Sequence, residues 1–465
     1  MRRVAVLGAL LACAAAGAQR QPVLGQIDAP HSYYFREMYL PHLTSGPSAV
    51  AWSPDGQSLV FSMQGSLWKQ QLGTAVAEQL TAGPGYDFQP DWSPDGKRIA
   101  FVRYAGDAME LAQLDLESGT VTALTSNHAV NVDPKWSPDG TRLAWVSTAH
   151  ERHFHVFVGK LTPGGLEGSP VWPERRSQTK RYYYSPIDHE LSPTWSPDGS
   201  ELIYIGNPEI AYGSGALLRR ALKADAVPVP VRIEETTWRA RPDWSRDGRR
   251  VIYSSYAGRQ WHQLWITTAS GGDPLPLSFG DYDNTGARWS PDGRRLAFIS
   301  NRSGSTEIWF QDVPGGRQSK LEIRDKRYLH PMGRLRIRTV NDAKQPVSAR
   351  VSVLGADARA YAPDDVWIHG DDGFDRAKFA FETEYFHSEG DAILTLPPGA
   401  ATITVWNGLE HAIEKRSVPI VADQEAQLIV TPAVLRLPAD WASHWLSGDV
   451  HVHMNYGGTY RNTPV

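Results

Sequence analysis

Three side chains near residue 450 have the types and the spacing to bind a metal. Asp449, His451 and His453 alternate with Val450 and Val452. Successive side chains of a β-strand point to opposite faces, so a strand here places the aspartate and both histidines together. Two imidazoles at this spacing can reach one divalent cation, and zinc is a common choice for such ligands. The bound metal would activate water for attack on a carbonyl or phosphoryl centre.

The same histidine spacing occurs at His153 and His155, and there we interpret it as structural. That pair lies in an apolar stretch of an internal repeat, and a bare pair of histidines is weak evidence for a metal. The residues that flank the pair therefore decide between the two interpretations.

The residues around the later pair resemble the first motif of a known class of hydrolases. Residues 448–453 are similar to the opening motif of PHP-type metallohydrolases, and with residues 454–458 and 460–464 they resemble the CehA/McbA group. The resemblance implies that His451 and His453 bind a divalent metal, zinc by preference, in an enzyme that cleaves amide, carbamate or ester bonds. It covers only residues 447–465, and a methionine follows the second histidine where the group has a threonine.

A hydrolase barrel of this class would need about 200 residues after its first strand, with further ligands from other strands. The sequence ends at residue 465. We therefore expect the chain to be the front portion of a longer exported enzyme. As these 465 residues it should bind metal poorly and catalyse nothing, and the metal would belong to the complete enzyme.

An internal repeat dominates the rest of the sequence. The pentapeptide Trp-Ser-Pro-Asp-Gly, with arginine for proline in one copy, begins at Trp52, Trp92, Trp136, Trp195, Trp244 and Trp289. Proline presets a turn, aspartate binds the turn backbone and glycine takes the left-handed position, so each copy predicts a tight hairpin. The mean spacing is about 47 residues, which is the length of a propeller blade. We expect the tryptophans to pack between neighbouring blades.

These repeats resemble the TolB-type six-bladed propeller family, and the resemblance covers residues 33–327. It implies four short strands in each repeat. Residues 34–44 repeat the pattern of an outermost strand without a blade before them, so we predict that they complete the sixth blade. Residues 319–327 are the alternative.

Alternation of polar and apolar residues continues after the repeats and predicts a small β-sandwich at residues 332–432. It resembles the carboxypeptidase-regulatory or transthyretin-like sandwich. We interpret the aspartate-rich residues 361–386 as a solvated loop, because the glycine and glutamate spacing of a calcium loop is absent. Residues 433–446 are a predicted linker, and 447–465 are the first strand of the truncated barrel. The fold class is thus all-β: a six-bladed propeller, a sandwich and a stub of a metallohydrolase barrel.

Residues 1–18 have the features of a secretory signal peptide: a basic start, an apolar run and small residues before a cleavage site. The single cysteine, Cys13, lies inside it. In one interpretation Cys13 is an ordinary apolar residue of the signal. In the other, residues 10–13 form a lipobox and Cys13 carries a lipid anchor. The short apolar run favours the first, and both predict a periplasmic or secreted protein without a transmembrane segment.

Composition and missing motifs narrow the function. With 47 basic and 51 acidic residues the net charge is −4, which argues against a nucleic-acid partner. The sequence contains neither the nucleophile motif of a serine peptidase nor a nucleotide-binding loop. Two functions stay open. One is the accessory portion of the metallohydrolase, acting on a small or peptide-like substrate. The other is a periplasmic propeller that binds a protein or cell-envelope partner.

Overall fold

The computed structural model describes residues 45–435, without 84, 106–107, 152, 173–188, 208–214, 235–239, 258–260, 365 and 369–383. The regular structure of these described residues is entirely β, in eight sheets. None of them forms a helix long and apolar enough to cross a membrane. The predictions for residues 1–18, Cys13, residues 34–44, His451 and His453 lie outside the described residues.

Six of the sheets each contain four consecutive antiparallel strands. Sheet one has β1 (Pro47–Trp52), β2 (Ser58–Met63), β3 (Ser66–Gln71) and β4 (Val76–Gln79), and sheet two has β5 (Tyr86–Trp92), β6 (Arg98–Ala105), β7 (Ala108–Asp115) and β8 (Val121–Ala123). Sheet three has β9 (Asn131–Trp136), β10 (Arg142–Ser147), β11 (His155–Thr162) and β12 (Gly165–Pro170), and sheet four has β13 (Glu190–Trp195), β14 (Glu201–Gly206), β15 (Ala216–Ala221) and β16 (Val229–Arg232). Sheet five has β17 (Asp243–Trp244), β18 (Arg250–Ser255), β19 (Gln263–Thr268) and β20 (Leu275–Pro276), and sheet six has β21 (Asn284–Trp289), β22 (Arg295–Ser300), β23 (Glu307–Asp312) and β24 (Gln318–Lys320).

The repeated pentapeptide forms the turn between the first and second strands of each sheet. In sheet three the Ser137 hydroxyl donates to Asp139 Oδ1 over 2.5 Å, and the same oxygen accepts the backbone N–H of Thr141 at 3.1 Å. The serine hydrogen bond, followed by the backbone one, lowers the pKa of Asp139 to about 2. The copy with arginine closes in the same way, because Ser245 donates to Asp247 over 2.5 Å. Proline is therefore dispensable in this turn.

The predicted role of the repeated tryptophans between neighbouring sheets is clearest at Trp52, Trp195 and Trp289, whose indole N–H groups donate to the adjacent sheet, whereas those of Trp92 and Trp244 donate to the glycine carbonyls of their own turns. The Trp195 indole N–H donates to the Lys135 carbonyl of the preceding sheet at 3.0 Å, and Trp289 makes the equivalent bond to Asp243 at 3.2 Å. A guanidinium of the preceding sheet also covers the indole: Arg142 lies 4.8 Å from the Trp195 ring centroid. Cation–π contact and hydrogen bonding thus act together at Trp195.

The six sheets follow one another around a ring. β1 contacts β5 of the second sheet on one side, and β21 and β22 of the sixth sheet on the other. Apolar residues of sheets one and six share a core that includes Trp52, Phe61, Ile299 and Phe310. We call this junction the seam. The arrangement is that of a β-propeller.

The chain leaves the ring by an additional strand. The fourth strand of sheet six is β24, which begins at Gln318. After it, β25 (Asp325–Arg327) pairs in parallel with β4 and becomes the fifth strand of sheet one. β24 overlaps residues 319–327 and is the outermost described strand of sheet six, which favours the alternative prediction for that strand.

Two further sheets lie within the range for which the sequence predicts a sandwich. One has β26 (Gly333–Thr339), β29 (Asp391–Leu396) and β32 (Glu425–Val430), and the other has β27 (Ala349–Leu354), β28 (Phe386–Ser388), β30 (Gly399–Trp406) and β31 (Glu414–Ile420). Their inward side chains form one buried cluster, in which Leu335 of the first sheet and Val351 of the second are fully buried. The alternation of polar and apolar residues in the sequence matches the alternation of exposed and buried side chains along β26.

Candidate functional site

A polar cavity lies on the axis of the ring. It has a volume of about 560 Å³, counting space open to solvent, and first strands of sheets one, two, three and six contribute to its wall. Seven of the lining residues have polar side chains: Ser48, Gln89, Asp133, Lys135, Arg241, Thr285 and Arg288. Because strands from so many sheets meet there, the cavity is the central channel of the propeller.

The channel wall is built at one repeated position, three residues before the tryptophan. Four residues at this position have left-handed backbone: Gln89, Asp133, Ser192 and Arg241, with φ of 52°, 53°, 48° and 38°. Strand pairing is interrupted beside three of them. A left-handed residue other than glycine costs about 1–2 kcal/mol, so the wall stores backbone strain. Such strain is concentrated in proteins at functional positions.

Hydrogen bonds link these residues from sheet to sheet. The backbone N–H of Asp133 donates to Gln89 Oε1 at 2.8 Å, and the Ser192 hydroxyl donates to Asp133 Oδ2 at 3.0 Å. Gln89 is 7% exposed, and its Nε2 has no hydrogen-bond partner among the residues that the structure describes. A buried amide donor without a partner is rare in proteins, and Gln89 is one of the residues that line the channel. The channel wall therefore contains a donor that no described residue uses.

Two ion pairs occupy the position one residue before the tryptophan. Lys135 Nζ lies 2.8 Å from Asp91 Oδ1, and Arg288 Nη1 lies 3.2 Å from Asp243 Oδ1. Each carboxylate also accepts the backbone N–H of the tryptophan in the following sheet, and the bond from the Trp136 backbone to Asp91 Oδ2 is 2.8 Å long. Burial, and next the charge of Arg288, lower the pKa of Lys135. The channel thus presents charges of both signs on a rigid wall.

The histidine pair inside the repeats lies in a different setting. His155 begins β11, is 2% exposed and stands with Nδ1 3.9 Å from Glu190 Oε2. Burial lowers its pKa to about 4, so the ring is neutral at neutral pH. Across the described part of the chain, no three His, Cys, Asp or Glu residues are grouped so that they could hold a metal. The ligands predicted at His451 and His453 lie beyond that part.

A second cavity, of about 1190 Å³, opens at the seam between the turns of sheets one and six. Its carboxylates already have partners: Asp55 accepts from Ser53, Asp292 from Ser290, and Asp312 from Arg295. The channel, with its unpartnered donor, is the stronger candidate for a binding site.

Sequence reasoning missed the channel residues, although a signal was present. When the repeats are aligned on their tryptophans, the third residue before each one includes Gln89, Asp133, Ser192 and Arg241. Polar residues of four kinds at one position of an otherwise regular repeat indicate a surface that is not needed for packing. The signal is weak, because the turn and the apolar strand that follows it dominate the repeat.

The described sheets and the cavity between them define a β-propeller with a polar channel on its axis. The chain belongs to the TolB beta propeller domain family, whose family model matches residues 41–167 and 179–347, more than half of the sequence. This match confirms the resemblance that the pentapeptides indicated. The hydrolase motif at residues 447–465 lies outside the matched residues and stays a prediction.

Individual relatives match over short stretches. An uncharacterized peptidase, YuxL, of Bacillus subtilis is 30% identical over 110 residues, which are 22% of this chain and 16% of the relative. The Tol-Pal system protein TolB of Thioalkalivibrio sulfidiphilus is 33% identical over 75 residues, 16% of this chain and 17% of the relative. The chain thus covers less than a fifth of these relatives.

Solved structures align at low sequence identity. The crystal structure of TolB from Acinetobacter baumannii is 20% identical, with a TM-score of 0.41, and the alignment covers 50% of this chain and 54% of that one. The tricorn protease is 15% identical, with a TM-score of 0.47, over 83% of this chain and 32% of that one.

Proposed function

We propose that this protein is an exported binding module whose six sheets form one closed six-bladed propeller. In this proposal the signal at residues 1–18 directs the chain to the periplasm, and the channel holds an extended polar segment of a protein or cell-envelope partner. The relative named as a Tol-Pal system protein supports a role in an assembly. The polar, narrow channel supports a chain-like ligand rather than a bulky one.

One observation carries the proposal: the unpartnered Nε2 of Gln89 in a wall of strained, polar residues. A peptide carbonyl is a neutral acceptor that suits this donor. An extended peptide could also place charged side chains beside the pairs of Lys135 with Asp91 and Arg288 with Asp243. Peptide binding would therefore satisfy the polar groups that the channel leaves available.

Selection of displayed peptides against the purified protein tests this function. We expect bound peptides to lose about tenfold or more in affinity for Gln89→Leu, because the donor to the ligand disappears. The matched control is Gln57→Leu, at an exposed turn on the rim of the seam, which should bind like the wild type. Affinity is measured by isothermal titration calorimetry with the selected peptide. Equal affinity for both variants, or loss only in the control, contradicts a binding role of the channel.

A second function rests on the alternation of Asp449, His451 and His453. Under this proposal the propeller and the sandwich position substrate for a metal-dependent hydrolase of amide, carbamate or ester bonds in a longer form of the protein. Its metal would be a divalent cation, zinc by preference. The peptide test and the metal test are independent, because they concern different parts of the chain.

Metal analysis tests the second function. Two histidines supply fewer ligands than the three or four of a stable zinc site, so the 465-residue protein should hold well under one zinc per chain. In a form extended through the downstream reading frame, His451→Ala or His453→Ala should abolish both metal loading and hydrolysis. Circular dichroism of the propeller should not change. Full loading of the 465-residue protein, or loading unaffected by both substitutions, would refute this proposal.

A further inference from the structure

The sandwich contacts the ring at one surface, which we call the junction. The backbone N–H of Ala360 donates to the Tyr86 hydroxyl at 3.0 Å, and Gln64 Nε2 donates to Asp364 Oδ1 at 2.8 Å. Between these contacts the side chain of Arg359 extends from the sandwich into sheet one. The glycine before β3, Gly65, has a φ of 74°, and a Cβ there would lie 2.9 Å from the Tyr86 ring. The absence of a side chain at Gly65 therefore leaves room for the side chains of Tyr86 and Arg359 beside β3.

Arg359 is a buried charge, and three of its five N–H donors, those on Nε and Nη2, have no partner among the described residues. It is 4% exposed, and its Nη1 donates to the Ser66 hydroxyl at 3.1 Å. Its Nε and Nη2 have no hydrogen-bond partner anywhere in the described part of the chain. The Tyr86 ring offers a weak cation–π contact to this charge, with its centroid 6.0 Å from the guanidinium carbon. A guanidinium cannot be neutralised by losing a proton, so its charge persists in this apolar setting.

The carboxylates nearest in sequence are already engaged. Asp357 Oδ2 accepts the Tyr361 hydroxyl at 2.7 Å, and Asp357 Oδ1 accepts the backbone N–H of Arg359 at 3.3 Å. Asp364 accepts from Gln64 and from Lys326. Neither carboxylate forms an ion pair with the Arg359 side chain, so compensation must come from outside these residues.

We propose that the Nε–Nη2 edge of Arg359 binds an oxyanion, a carboxylate or a phosphate, at the junction. These two nitrogens point their N–H groups along one edge of the planar group, and that fork fits two oxygens of one anion. The edge is covered in the structure described here, so the ion enters when the sandwich separates slightly from the ring. The bound ion then compensates the buried charge and holds the two parts together. This site is separate from the channel and does not depend on the function proposed for it.

Thermal unfolding of the 465-residue protein in three sodium salts at equal ionic strength tests the site. In saturating phosphate or acetate, the wild type should melt about 3–6 °C higher than in chloride. Arg359→Met should lose this difference, and in chloride it should melt at or above the wild-type temperature because an uncompensated charge has been removed. A response to phosphate alone assigns the site to a free oxyanion of that shape, and a response to acetate assigns it to a carboxylate.

The control is Arg336→Met, which removes an exposed guanidinium paired with Asp391 on the same sandwich. This variant should keep the full response to both anions. Arg359→Lys preserves the charge without the fork, so it should bind phosphate or acetate at least fivefold more weakly in isothermal titration. A wild type that melts alike in all three salts overturns the proposal, as does an Arg359→Met variant that responds like the wild type.

Discussion

Replacement of Trp195 by alanine should lower the free energy of unfolding by about 3–5 kcal/mol, one of the largest effects of any single substitution in the ring. The side chain is 6% exposed and fills the junction between sheets three and four. Its loss leaves a cavity, removes the donor to the Lys135 carbonyl and removes the ring under Arg142. Three contributions therefore add at one position.

Urea denaturation followed by circular dichroism measures this loss, and Trp195→Phe separates its parts. Phenylalanine retains much of the packing and a ring under Arg142 but has no N–H, so its cost should be about 1–2 kcal/mol. Similar losses below 1 kcal/mol for both variants would show that the tryptophan does not join the sheets as described.

Replacement of Asp91 by alanine should also lower the free energy of unfolding by about 3–5 kcal/mol at neutral pH, because it leaves Lys135 buried without its partner. Lys135 is 9% exposed, and Asp91 also accepts the backbone N–H of Trp136. Burial already lowers the pKa of Lys135 in the folded protein. Without the Asp91 charge this pKa should fall further, so the unfolded chain binds more protons than the folded one.

The difference in bound protons between the unfolded and folded states predicts how the stability lost in Asp91→Ala depends on pH. Where the unfolded state binds more protons, stability rises with pH, up to the ordinary lysine pKa of about 10.4. Asp91→Ala should therefore recover part of its loss between pH 7 and pH 9. The double variant Asp91→Ala/Lys135→Met should recover more, because the unpaired charge of Lys135 is removed with its partner. A loss that is equal at both pH values and unrelieved in the double variant would argue against the ion pair.

The sequence predicted those parts of the fold that depend on near neighbours in the chain. Each turn closes through residues at most five apart, such as Ser137 with Asp139 and Arg142. The closure of the ring was harder, because β25 carries no apolar alternation and its partner is far away in the sequence. Arg359 gave no signal for the same reason: among the described residues its guanidinium donates to the side chain of Ser66, which lies 293 residues earlier.

Some features of the candidate site could likewise have been predicted from the sequence, and others could not. Asp91 and Asp243 occupy equivalent places in two repeats, so alignment of the repeats could have found their pairs with Lys135 and Arg288. The strain at Gln89 and Asp133 could not be read from residue types, because left-handed backbone at these positions accompanies the interrupted pairing of the first strands with their neighbours. The metal ligands predicted at residues 449–453 stay a prediction.

Because β25 pairs with β4, sheet one cannot be completed until the end of the ring has been synthesised. Arg327 and its ion-pair partner Glu78 are 249 residues apart, so at 5–20 residues per second about 10–50 s separate their synthesis. Sheets two to six are made of consecutive strands, and each can form as its own residues appear. The nascent ring is meanwhile an open arc whose first end exposes Trp52 and Phe61 until Ile299 and Phe310 arrive to cover them. The seam is thus the last part of the ring to be completed. Until then the apolar end of sheet one needs protection by a chaperone or by the export machinery.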